Sequence, residues 1–276
     1  MTNLNVSNDP RSQETQSDNF SLEVYEQTLR KAQALDYAFP TVSQLKEGFS
    51  RFPRFLLLRH DIDSSPRYAL QMARLEHRLS VRSSFFVLIH SVHYNPAAPP
   101  HWDALREIIE LGFEVGLHYE TDFFEQRKLD PLQGVLRDVA ALEQILHTQI
   151  RSVSQHRPAS NSFLEELNKY YVDAYNHDLM NNVLYISDSG FKWRGRSLLE
   201  VLGNFDRIHA LIHPLTWMFG DLDMTATYRK MSQELESEIH RSFEDFTAST
   251  NRYLLERAKR DTSRADLYRR HSLNRQ

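Results

Sequence analysis

Six short apolar runs alternate along this chain with segments of helical periodicity, and that alternation constrains its fold more than any other feature. The runs fall at 54–60 (RFLLLRH), 83–89 (SSFFVLI), 113–118 (FEVGLH), 151–155 (RSVSQ), 183–188 (VLYISD) and 207–213 (RIHALIH). Each is too short for a core helix, and all but 151–155 are largely apolar at successive positions, the pattern of a strand buried on both faces. The intervening stretches carry helix signals. Ser65 precedes Pro66, Asp130 precedes Pro131, and Gly112 closes the segment 101–112. A further helix over 21–35 starts at Ser21, with Leu22, Tyr25, Leu29 and Ala32 on one face.

Strands alternating with helices predict an α/β fold with a mostly parallel sheet covered by helices. No G-x-G-x-x-G follows the first strand, so an open or closed (β/α) barrel is expected rather than a dinucleotide-binding sheet. Residues 1–20 are polar and expected to be disordered, and 21–224 are expected to form the barrel. Residues 225–276 read as a helical extension with a loose basic tail. Met231, Leu235, Ile239, Phe243 and Phe246 keep one stripe, which predicts packing on the barrel or on a second copy in a homo-oligomer.

Composition narrows the chemistry. The chain has 33 basic and 37 acidic residues, a balance that gives no reason to expect nucleic-acid binding. It has 0 cysteines, so any metal must be held by His, Asp or Glu. No run approaches the roughly 20 apolar residues of a membrane span, so no membrane insertion is expected. The first residues lack the apolar core of an export signal, and a cytoplasmic location is expected.

Polar residues gather where the runs end: His60-Asp61-Ile62-Asp63, His118 to Asp122, Gln155 to Pro158, Asp188-Ser189-Gly190, and His213-Pro214. Strand ends are where α/β folds build their sites. Asp61 and Asp63 are two apart, so both carboxylates can face one site. One could hold a metal while the other takes a proton; as an isolated pair, caps and turns are the commoner use. His118 and Asp122 are four apart, a spacing that suits a divalent ion if both lie on a helical turn, with Glu120 a substitute if the turn is irregular. His213 suits general-acid work, although a histidine there can equally bond a core carbonyl. Trp193 could offer an aromatic face to a sugar ring; packing is the commoner use of a tryptophan.

In order, RHDID, LGFEVGLHYETD, QHRP, YISDSG and ALIHP resemble the five motifs of the polysaccharide deacetylase (NodB-homology) family, over roughly residues 54–217. That resemblance implies a distorted (β/α) barrel and metal-dependent removal of an acetyl group from a saccharide substrate. By position it implies Asp61 as general base, Asp63 and His118 as metal ligands, and His213 as general acid. The family's second motif histidine is replaced by Asp122, which would complete the ligand set. His156 stands where the family has arginine, with Arg157 one place on. Either could orient Asp61, and His156 is an alternative ligand. His60, Glu120, His156, Arg157, Asp188 and Trp193 are expected to touch substrate or brace the ligands. Zinc is the expected ion, with manganese, iron or cobalt as alternatives. The competing expectation is a non-catalytic barrel that binds a glycan or nucleotide sugar, because Asp122 and His156 both depart from the motif.

Overall fold

The structure, a computed structural model, describes residues 20–158, 164–193, 195–220 and 222–273, with side chains described as far as residue 264. The expectation for residues 1–19 lies outside the described residues. The chain falls into two compact units, Met1–Met224 and Thr225–Gln276.

The first unit is built on a parallel sheet of seven strands that curls into an open half-barrel. The strands are β1 Phe55–Ile62, β2 Ser84–Leu88, β3 Glu114–Tyr119, β4 Ser152–Gln155, β5 Val172–Asp173, β6 Leu184–Ser187 and β7 Arg207–Ile212. Their order is β5-β4-β3-β2-β1-β7-β6, so β1 is an interior strand between β2 and β7, and the edge strands β5 and β6 remain apart. The sequence reading anticipated six of these strands. It missed β5, whose two residues are too few to show a period.

The connecting helices are α1 Leu22–Ala34, α2 Pro66–Arg78, α3 Pro99–Glu110, α4 Thr121–Glu125, α5 Pro131–Leu146, α6 Leu164–Leu167, α7 His177–Asn181 and α8 Leu198–Val201. The side chains of Ser21, Ser65 and Asp130 accept from the backbone N–H groups of Val24, Arg67 and Gln133, satisfying donors that a helix start leaves open.

Strand alternation sorts β1 between two environments. Leu56 and Leu58 pack outward with Tyr25, Leu29, Met72 and Leu75. Phe55 and Leu57 point inward and fill the base of the barrel with Val42, Leu45, Phe86 and Leu179. Arg59 and Asp61 continue the inward row above them, and both are buried. Gly116 on β3 has a steric cause: a Cβ there would lie 2.5 Å from Phe86 and 2.6 Å from the Ser152 carbonyl oxygen. The packing of β2, β3 and β4 at this level therefore excludes a side chain.

The described residues of the second unit form one helix, α9, Met224–Leu273, with Met224 the last residue of the first unit. It continues through the segment expected to be loose, because no glycine or proline occurs after Gly220. Ile239, Phe243 and Phe246 of its predicted stripe are exposed. No described helix is long and apolar enough to cross a membrane.

Candidate metal centre

The inward row of β1 brings Asp61 and Asp63 to the rim of the half-barrel, where three imidazoles converge on Asp63. His118, near the end of β3, places Nε2 3.3 Å from Asp63 Oδ1 and 3.4 Å from Asp61 Oδ2. His156, just beyond β4, places Nε2 3.9 Å from Asp63 Oδ2, and His213, just beyond β7, places Nε2 3.8 Å from it.

Each ring is oriented through its other nitrogen. His118 Nδ1 donates to the Ser154 carbonyl at 2.9 Å. His156 Nδ1 meets the Glu120 carboxylate at 2.9 Å, and His213 Nδ1 meets the Asp188 carboxylate at 2.6 Å. A hydrogen held on Nδ1 by an acceptor leaves Nε2 with a lone pair in the neutral ring, the tautomer of a metal ligand. The backbone N–H of His156 donates to the Tyr119 carbonyl at 2.8 Å, which fixes this ring beside that of His118.

Asp63, His118 and His156 offer one oxygen and two nitrogens that all lie within 4.8 Å of one another. Asp63 Oδ1 is buried yet makes no hydrogen bond. A buried carboxylate oxygen 3.3 Å from an imidazole nitrogen is costly unless a cation or a proton stands between them. The donor set therefore fits a divalent ion, with Glu120 bracing one ligand as metal sites commonly require.

Asp61 is held differently. Arg59 Nε donates to Asp61 Oδ1 at 2.9 Å and Arg59 Nη2 to Oδ2 at 2.6 Å, a bidentate pair with both side chains buried. Burial by itself pushes the Asp61 carboxyl up, but the Arg59 guanidinium outweighs it and holds the group far below the usual carboxylate range. Arg59 Nη2 also donates to the Tyr175 hydroxyl at 3.1 Å, and the guanidinium lies 4.2 Å from the Tyr175 ring centre.

His213 is governed by Asp188, which is fully buried and also accepts from Trp217 Nε1 at 2.8 Å and from the His213 backbone N–H. Burial lowers the His213 pKa, but the Asp188 charge outweighs that and pushes it up to about 9. Burial likewise raises the Asp63 carboxyl, while His118 and His213 outweigh it and bring the group below its ordinary value. The backbone around Asp63 is pinned by two residues of the loop after β2. Ser91 Oγ donates to the Asp63 carbonyl at 3.2 Å, and the Tyr94 hydroxyl donates to the Ile62 carbonyl at 2.7 Å.

Four expected residues stand elsewhere. Asp122 is exposed on the first turn of α4 and is not part of the ligand cluster. The four-residue spacing from His118 does not operate because His118 is on a strand and the helix begins only at Thr121. Arg157 is exposed at φ 50°, and the anchor of Asp61 is Arg59 instead. His60 faces outward by alternation, bonds Glu76 at 2.7 Å and stacks on Phe85. Trp193 is buried against Phe20 and Trp217, so its face is spent on packing.

No family model matches the chain, and no curated protein matches it. Solved structures similar to it include a peptidoglycan deacetylase, PdaC from Bacillus subtilis, at 16% identity and TM-score 0.40, covering 69% of this chain and 97% of that one. The deacetylase PplD from Streptococcus pyogenes, in complex with acetate, gives 10% identity and TM-score 0.42 over 70% of this chain and 81% of its own. A CE4 family pseudoenzyme from Bacillus anthracis gives 12% and 0.41 over 67% and 61%.

Proposed function

We propose that residues 21–224 form a metal-dependent hydrolase that removes an acetyl group from a sugar, by N- or O-deacetylation, in polysaccharide or glycoconjugate biosynthesis. The observation that carries this reading is the arrangement around Asp63: three imidazole Nε2 atoms face one carboxylate, each ring fixed through Nδ1. Asp63, His118 and His156 would hold the ion, and zinc suits two imidazoles and a carboxylate with no thiolate. When bound, such an ion supplies Lewis acidity and makes a nucleophile available from water near neutral pH.

The remaining roles fall to this chain's own side chains. Asp61, kept ionised by Arg59, accepts a proton at Oδ1 or Oδ2 from the attacking water. Its low basicity makes that transfer favourable only from a water whose acidity has been raised. His213, protonated and oriented by Asp188, gives a proton from Nε2 to the leaving nitrogen or oxygen. The choice of an acetylated sugar rests on the order of the motif segments in the sequence, and the geometry around Asp63 supports hydrolysis more generally.

The test combines metal analysis with acetate release. Protein purified without chelator is expected to carry about one equivalent of divalent metal and to release acetate from acetylated amino-sugar oligomers or O-acetylated glycans. Asp61→Asn should keep the metal and lose acetate release. Wild-type protein that takes up no zinc, manganese or cobalt and releases no acetate overturns the proposal in favour of a sugar-binding barrel.

A further inference from the structure

Helix α9 spans 50 residues, about 75 Å at 1.5 Å per residue. Along it Ile239, Phe246 and Tyr253 recur at intervals of seven, with Leu235 and Phe243 four residues to either side of Ile239, so they share one face. Ile239, Phe243, Phe246 and Tyr253 are all more than half exposed, at 58%, 67%, 68% and 54%. A helix this long with a continuous exposed apolar stripe is incomplete without something against it.

The charges along the helix say what fits. Residues 232–246 carry five acidic residues against one basic, whereas residues 250–264 carry five basic against two acidic. Glu236, Glu244 and Asp245 are exposed in the first stretch, as are Arg252, Arg257, Lys259 and Arg260 in the second. The stripe is centred where these stretches meet. Ile239 and Tyr253 stand seven residues to either side of Phe246.

We infer that α9 pairs antiparallel with α9 of a second copy of this chain, about a two-fold axis that passes between the two Phe246 side chains. In that arrangement Phe246 meets Phe246, Ile239 meets Tyr253, and the acidic stretch of each helix lies along the basic stretch of the other. A parallel pair would instead set acid against acid and base against base along its whole length. The two-fold makes the interface self-complementary and closed, so pairing stops at the dimer. The inference uses only α9 and is independent of the hydrolase reading.

The experiment uses the full chain. Sedimentation equilibrium at low and high salt should give about twice the monomer mass of 32.5 kDa, with dissociation favoured by salt. Phe246→Glu, which sets two carboxylates against each other at the axis, should weaken the dimer at least tenfold with an unchanged far-ultraviolet spectrum. Because the chain has 0 cysteines, orientation can be read by introduced disulfides. An oxidised mixture of Ile239→Cys and Tyr253→Cys proteins should yield the mixed cross-link, and Ile239→Cys by itself should yield little. A monomer at every concentration, a dimer insensitive to Phe246→Glu, efficient cross-linking of Ile239→Cys to itself, or α9 occupied only by a different protein would each overturn the inference.

Discussion

Arg59 grips Asp61 from two positions earlier on the same strand, through both carboxylate oxygens and with both side chains out of water. Residues two apart on a strand share a face, and the arginine is long enough to reach past its own neighbour to the carboxylate above it. The base and its anchor thus come from one inward row of β1, so the position of Asp61 does not depend on a separate loop folding correctly. It does depend on the interior of the half-barrel closing over a buried ion pair.

Breaking that pair from one side should be expensive. Arg59→Met leaves Asp61 buried with its main counter-charge removed, and a loss of about 3–5 kcal/mol is expected for such a change. Denaturant unfolding of the metal-free protein at pH 7 measures it. A loss below about 1 kcal/mol would show that solvent reaches Asp61 and that the pair is not closed.

Metal affinity should separate His156 from Asp122. His156→Ala removes a ligand and should abolish stoichiometric binding, whereas Asp122→Ala should bind as wild type does. Glu120→Gln, which weakens the grip on His156 Nδ1, should cost about 10–100-fold in affinity. Calorimetric titration with zinc reads all three. The reverse order for His156 and Asp122 would return Asp122 to the ligand set.

His213 should leave a pH signature in the stability of chelator-treated protein. Its pKa is pushed up to about 9 in the folded chain, against about 6.5 for an ordinary histidine. The native state therefore holds the proton more tightly than the unfolded chain. That contribution is complete below pH about 6.5 and is lost as the pH rises through about 9, with an upper bound of about 3.5 kcal/mol. Asp188→Asn removes the charge responsible and should flatten this interval. Unfolding midpoints between pH 6 and 10 in both proteins check the effect, and an equal slope in the variant would count against it.

The outward face of β1 should behave as structure. His60 shares Glu76 Oε1 with the Tyr25 hydroxyl, while Ser83 Oγ donates to Glu76 Oε2 at 2.5 Å. His60→Leu should cost about 1–3 kcal/mol of stability, since it leaves a buried carboxylate short of one donor. Zinc affinity should be unchanged. A large loss of affinity with little loss of stability would place His60 in the site after all.

The amino-acid sequence by itself determined the alternation of strand and helix, the caps at Ser21, Ser65 and Asp130, and the gathering of Asp61, Asp63, His118 and His213 at strand ends. Those features are local: a run of apolar residues, a serine before a proline, a charge at the end of a strand can be read without knowing what lies opposite. Only the tertiary structure decided which polar residues meet. His156 joins Asp63 because the turn after β4 is bonded to the end of β3, and no spacing in the sequence encodes that. Asp122 and Arg157 stand at suggestive positions but are exposed, since a helix starting at Thr121 and a left-handed turn at 157 set their surroundings. Arg59 stands with His60 at the end of the first apolar run, and its role required the closed interior where Asp61 and Tyr175 are its neighbours. Periodicity follows from backbone geometry within a few residues, whereas a site is made by side chains from five strands and their loops. Their distances are fixed only when the sheet curls and packs.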